Sequence, residues 1–360
     1  MAIMMKISSG HFGRCCYLGV GTLVALGLMA GAAQAADIDL GPVPAGVDPA
    51  AIQKLYADAI ANGEKQVVIV SNDRRFGPLV EFTKRFPGIT ISNDVVSAVE
   101  RVTLIISQHR TRHMQYDLVE GTGGVLDPLN QTGAFIKTDY AALGYPVDDV
   151  IANLGIYADS VQVHAYNTNV VKKEDLPKKL EDFEDPRWKG KLVADPFSYA
   201  SGASYEGLTH DEAYAVKTAT DIRDASGLVL TGTAQDLINS GEKSFFLFDN
   251  VTRVIQAQKA GAPVALLFLE GMGVGRFGIG MTTLSPNPNA AKLFIYWIHT
   301  PEGQAAMFEH SSAALAKNAD SPISRLVANA HSKFTFETEQ NWKERGRLTG
   351  VIQKAVTQAR

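Results

Sequence analysis

The sequence predicts an α/β protein of two lobes, on three observations. Short apolar runs of strand length, as at 66–71, 88–95 and 116–120, alternate with amphipathic helical segments, which implies βαβ units around a parallel sheet. The chain has 360 residues, more than one hydrophobic core normally serves. Hydrophobic residues make up 46% of it without any low-complexity tract, so it is globular rather than disordered.

Residues 1–35 read as an export signal. Lys6 and Arg14 form a basic region free of acidic residues. An apolar run follows from Tyr17 to about Gly31, and Ala33-Gln34-Ala35 fits a cleavage site. The run is shorter than the ~18–20 apolar residues of a membrane span, and Gly19, Gly21 and Gly27 interrupt it. Cleavage removes Cys15 and Cys16, so a mature chain from about Ala36 has no disulfide and is held by packing. The chain carries 34 basic and 38 acidic residues; without Lys6 and Arg14 the balance is 32 against 38, a formal charge of −6. An acidic body of this kind argues against a nucleic-acid binder, whose footprint is a basic patch.

The first element is a helix that Asp48 caps, with Pro49 at its first position, Ile52, Leu55, Tyr56 and Ile60 on one face, and Gly63 past its end. Residues 66–71 (QVVIVS) form a strand buried on both faces. A polar loop at 72–75, a helix at 77–86, a strand at 88–95, a helix at 98–108 and a strand at 116–120 follow. Ligands of such sheets bind outside the carboxyl ends of the strands, here 71–74, 96–97 and 120–124. Residues 155–171 are rich in β formers. Leu180 and Phe183 give a short helical face that Pro186 ends, Trp188 is an apolar anchor, Gly190 permits the bend, and 191–195 (KLVAD) is a short strand. Helices at 203–226, 233–239 and 250–260 alternate with strands at 244–248 and 263–269. Residues 271–281 cross back to the first lobe, helices at 292–298 and from Pro301 complete it, and a last helix spans 337–359 with no signal for where it packs.

The stretch 176–196, LPKKLEDFEDPRWKGKLVADP, resembles a segment of the type DxxDPxWKGK in the ferric-binding-protein-like group of periplasmic solute-binding proteins. The strand at 262–264 (APV) and residues 297–304 (WIHTPEGQ) support the likeness. The resemblance implies a type 2 periplasmic-binding fold with a hinge and a central cleft: lobe 1 over 36–160, lobe 2 over 161–272, and a return crossover, the rest of lobe 1 and C-terminal helices over 273–360. Tyr166-Asn167 would end the first crossover strand. It also implies capture by closure, a permease of an ABC importer as partner, and a monomer in the periplasm.

Three motifs resemble ligand-binding or catalytic ones. Gly273 to Gly278 fits G-x-G-x-x-G, but extended, proline-containing sequence follows it where a dinucleotide site needs a helix, so hinge or close backbone packing explains it better. His109 and His113 are spaced as ligands on one helical face, yet Arg110 and Arg112 flank them and no H-E-x-x-H glutamate is present. Gly202 to Glu206 begins like a nucleophile elbow and has Glu206 where glycine is required. No catalytic residue, metal ligand or cofactor is therefore assigned.

Binding residues fall at strand ends and helix starts. In lobe 1 they are Asn72, Asp73, Arg74, Glu120 and Thr122, with Gly121 to Gly124 exposing backbone amides as a nest. In lobe 2 they are Ser198, Tyr199, Ser201, Asn250 and Thr252, with residues 195–204 feeding a helix N-terminus that favours an anion; plain N-capping by Ser201 or Ser204 explains that segment equally. In the resembling family two adjacent tyrosines bind ferric iron, assisted by a glutamate for which Glu120 would serve. Val251 and Thr252 stand where those tyrosines would be, and Arg74 and Arg75 would repel the ion. The sequence thus points to a receptor for a small polar, anionic organic solute, with ferric iron as the runner-up and an enzyme on the same scaffold as the alternative from another class.

Overall fold

The computed structural model describes residues 37–72, 74–77, 79–317, 321–330 and 332–358. The expected export signal with its two cysteines, and the candidate Asp73, lie outside them. The described residues form one compact unit, and among them no helix is long and apolar enough to cross a membrane.

The strands are β1 (Gln66–Ser71), β2 (Thr90–Val95), β3 (Leu118–Gly121), β4 (Val150–Ile151), β5 (Leu154–Asn167), β6 (Leu192–Ala194), β7 (Val229–Leu230), β8 (Phe245–Asn250), β9 (Val264–Leu267), β10 (Gly273–Met281) and β11 (Thr335–Phe336). The principal order is β2-β1-β3-β10-β5-β8-β6-β7. Pairs β1·β2, β1·β3, β6·β8 and β6·β7 are parallel, as the alternation of strands and helices requires. The sheet as a whole is mixed rather than parallel, because β10 runs antiparallel to both β3 and β5 and β5 antiparallel to β8 and β9. Strand β5 joins the two parallel parts: Gly155 to Val161 pair with β10 and Gln162 to Asn167 with β8 and β9.

Helices α1 (Pro49–Ala61), α2 (Val80–Arg85), α3 (Ala98–Thr111) and α4 (Gly123–Gln131) accompany the first strands. Asp48 caps α1 through a bond from Ala50 N, with Pro49 at its first position. Helix α4 starts at Gly123, so the amides expected to form a nest at 121–124 lead into a helix N-terminus. One helix expected at 203–226 is two, α5 (Pro196–Thr209) and α6 (Glu212–Ser226): the backbone leaves helical geometry at His210, and Asp211 caps α6 by accepting from Tyr214 N. Helices α7 (Ala234–Asn239), α8 (Val251–Lys259), α9 (Pro288–Ile298), α10 (Pro301–Ser311), α11 (Pro322–Asn329) and α12 (Trp342–Thr357) complete the described residues. Helix α12 packs on α5 and α6.

Two large apolar clusters flank β5. One gathers Phe76, Phe82, Phe86, Phe294 and Trp297 around β1 and α9, and the other gathers Phe183, Trp188, Tyr199, Phe245 and Phe248 around β6 and β8. The DPRWKGK element serves the second. Asp185 accepts from Arg187 N, Pro186 opens a single 3-10 turn, and Trp188 packs edge-on to Phe245 at 4.9 Å. Residues 273–281 form β10, and their glycines allow close packing. A β-carbon on Gly273 would lie 1.9 Å from Tyr205 Cδ2.

Candidate functional site

Four helix N-termini open on one cavity of about 890 Å³. Ala98 begins α3, Thr122 precedes α4, Ser198 lies in the first turn of α5, and Asn250 and Thr252 straddle the start of α8; all five line the cavity. Each helix end contributes amide donors and the positive end of its dipole. In α5 and α8 a side-chain cap uses one donor, Asp195 accepting from Ser198 N and Asn250 from Thr252 N. The cap of α5 is therefore Asp195, not Ser201 or Ser204. Ser97 and Thr122 make no capping hydrogen bond, which leaves the first turns of α3 and α4 without side-chain acceptors.

Of the residues the sequence singled out, Asn72, Arg74, Thr122, Ser198, Ser201, Asn250 and Thr252 line this cavity. Two do not. Tyr199 is buried, donates its hydroxyl to Ala219 O at 2.9 Å and packs edge-on to Phe248. Glu120 is fully buried behind the cavity wall, 3.9 Å from Arg75 Nη1 and 3.7 Å from Arg101 Nη1, with Asn72 N at 3.4 Å. Its carboxylate pairs with these arginines and does not line the cavity.

The sequence reading missed a ring of polar side chains. Arg75, Arg101, Arg253 and Arg345 join Arg74 at the cavity. Arg75 lies over the Phe277 ring at 4.4 Å. Arg345, from α12, reaches the cavity next to α5, donates to Ser201 Oγ at 3.1 Å and pairs with buried Glu337. Beside it Tyr205 has a buried hydroxyl with no partner, and burial pushes that phenol well above its ordinary value, so it is a neutral donor. Arg74 is exposed and has no carboxylate partner among the described residues.

Strand β8 carries local strain into the site. Phe248 has φ of +54°, a conformation that costs a non-glycine residue about 1–3 kcal/mol. Its ring fits because residue 202 is glycine; a β-carbon there would lie 2.2 Å from Phe248 Cγ. The next residue, Asp249, is 1% exposed, and burial, only partly opposed by Arg253, raises its carboxyl from 3.8 to about 6. Below pH 3.8 both folded and unfolded states hold the proton. Between there and 6 the unfolded chain releases it and the folded chain keeps it, so stability falls as pH rises and the loss is complete above 6. The difference corresponds to about 3 kcal/mol. Asp249→Asn is accordingly expected to raise the thermal midpoint by several degrees at pH 7.5 and to leave it unchanged near pH 3.5. A variant less stable than the parent at pH 7.5 would contradict this electrostatic account.

A second cavity of about 680 Å³ is lined by Lys137, Asp148, Lys317 and Glu339 among others, with paired signs of charge. Among the described residues no group of three or more His, Cys, Asp or Glu is placed to hold a metal. Val251 is buried, and Thr252 donates its hydroxyl to Ser312 O.

The family model for bacterial extracellular solute-binding proteins matches residues 80–329. An uncharacterized protein of Haemophilus influenzae is 27% identical over 214 residues, 56% of this chain and 54% of that protein, so the match spans about half the length of the curated relative. The iron-bound HitA of Pseudomonas aeruginosa is similar in structure at TM-score 0.64 and 17% identity, covering 81% of this chain and 99% of that one. An ABC transporter substrate-binding protein of Bradyrhizobium japonicum is similar at TM-score 0.65 and 19% identity, with 81% and 99% covered. At these identities the structural likenesses speak for the fold.

Proposed function

The chain belongs to the bacterial extracellular solute-binding protein family, and on that premise we propose that it is the receptor of an ABC importer, capturing a small organic anion in the 890 Å³ cavity and passing it unchanged to a membrane permease. The observation that carries the anion is the convergence of four helix N-termini with five arginines on one cavity. Helix dipoles and free amides favour negative charge, and guanidinium groups give two-pronged hydrogen bonds to carboxylate or phosphate. Export to the periplasm, a monomeric state, and lobes over 36–160, 161–272 and the returning 273–360 are parts of the same proposal. So is the absence of catalysis, since the motifs that resembled catalytic ones occupy packing positions: Gly202 to Glu206 lie inside α5 and Gly273 to Gly278 inside β10.

Ferric iron is a weaker reading. Neither Val251 nor Thr252 offers an anionic oxygen, and Tyr205 is held protonated by burial, whereas a hard trivalent ion needs anionic oxygen ligands.

A thermal-shift screen of carboxylates, phosphates and phosphonates against neutral and cationic compounds tests the proposal. A ligand at about 100 times its dissociation constant stabilises the native state by roughly 2.7 kcal/mol, which moves the midpoint by several degrees. Hits are expected to be anionic. Arg74→Ala is expected to abolish their shift while leaving the ligand-free midpoint within about a degree, because an exposed loop arginine adds little to folding. Shifts confined to neutral or cationic compounds, or an undiminished shift in Arg74→Ala, would overturn it.

A further inference from the structure

Donors at the cavity include Arg74, Arg75, Arg101, Arg253, Arg345 and the neutral phenol of Tyr205. Two acceptors, Gln162 and Asp249, come from the wall where β5 and β8 pair, with Gln162 opposite Asn250 and Val163 opposite Asp249. Gln162 is 7% and Asp249 1% exposed, and both line the cavity. Asp249 Oδ1 is occupied, accepting from Asn250 N at 2.7 Å and lying 3.3 Å from Arg253 Nε. Its Oδ2, and Oε1 of Gln162, have no hydrogen-bond partner.

Two buried acceptors without partners put a demand on anything that fills the cavity. Water can serve them while the cavity is empty. A ligand that displaces this water without replacing its hydrogen bonds forfeits affinity, and the loss is larger at a carboxylate. A plain anion satisfies the donors and leaves this wall unmatched. Resting on the anion-site reading above, we infer that the ligand is an anion that also carries N–H or O–H donors, which it presents to Asp249 Oδ2 and Gln162 Oε1. The arginines and helix ends hold the charged end, and the β5/β8 wall selects among anions by the donors they bear, since a buried site built for a polar group rejects the analogue that lacks it.

Titration calorimetry on two matched series tests this: succinate, malate and aspartate, and propyl phosphate, glycerol 3-phosphate and 3-aminopropyl phosphate. In at least one series a donor-bearing member is expected to bind ten-fold or more tightly than the donor-free one, and the hydroxyl and amine arms distinguish the source of the donor. Asp249→Asn leaves Oδ1 in place and puts an NH₂ group where Oδ2 stands. It should remove most of that preference while leaving the donor-free anion bound as well or better, because a negative charge has gone from the wall. Gln162→Met, which deletes the other unpartnered acceptor at similar volume, reads the same loss if Asp249→Asn does not fold. Equal binding within each series, or a preference untouched by both substitutions, overturns the inference and leaves the anion site standing. Binding of none of the six at millimolar concentration counts against the anion site itself and removes the inference with it.

Discussion

Glu120→Ala is expected to lower the thermal midpoint by roughly 6–20 °C. The carboxylate is fully buried and lies between Arg75 and Arg101, itself 1% exposed. Its removal leaves the Arg101 guanidinium in the interior without this counter-charge, a loss that costs about 3–5 kcal/mol when one partner of a buried pair is deleted. For a chain larger than 150 residues each kcal/mol moves the midpoint by roughly 2–4 °C. Asn72 N and the Tyr157 hydroxyl, each 3.4 Å from the carboxylate, lose an acceptor too. Glu120→Gln should cost less, because the amide oxygen still accepts. Calorimetry of the ligand-free variants checks this. A midpoint within two degrees of the parent, with binding lost, would make Glu120 a ligand contact after all.

Gly303→Ala is expected to cost at least about 3 kcal/mol, the upper end for overpacking, and to give little soluble protein. A β-carbon at 303 would lie 2.1 Å from Trp297 O and 2.8 Å from Ile298 Cα. Those are backbone atoms of the α9 end, so no rotamer change relieves the clash. The corner is fixed from several sides: Thr300 caps α10 by accepting from Gly303 N, and Gln304 donates to Tyr157 O and Ile298 O while accepting from Leu315 N. Expression with denaturant unfolding reads the effect; a variant as stable as the parent would show that the α9–α10 corner can open.

These two residues also show what the sequence could and could not convey. The stretch 297–304 and the DPRWKGK element marked the family, and both turn out to make corners and anchors in the core, remote in role from any ligand. Loops at strand ends and serines at helix starts were legible because topology alone puts them at the mouth of a sheet. Seven of the nine described residues so chosen line the cavity. The remaining polar lining was not legible. Arg101 reads as a surface residue of an amphipathic helix and is instead buried, 3.7 Å from Glu120. Arg345 meets Ser201 across 144 positions of sequence, through a helix whose packing had no local signal. Gln162 and Asp249 lie on β5 and β8, and their placement at one cavity depends on how those strands pair. The break between α5 and α6 did have a signal, Asp211 followed by Glu212, which the helical periodicity on both sides obscured.

A crystal structure of the protein with an anion that raises its midpoint tests the central claim most directly. The account predicts the anion in the cavity walled by Arg74, Arg101, Thr122 and Ser198, its charged group on the guanidinium nitrogens and on the amides that open α4 or α5. An anion seated instead between Lys137 and Lys317 in the second cavity, with the arginine-lined cavity holding only solvent, would contradict it.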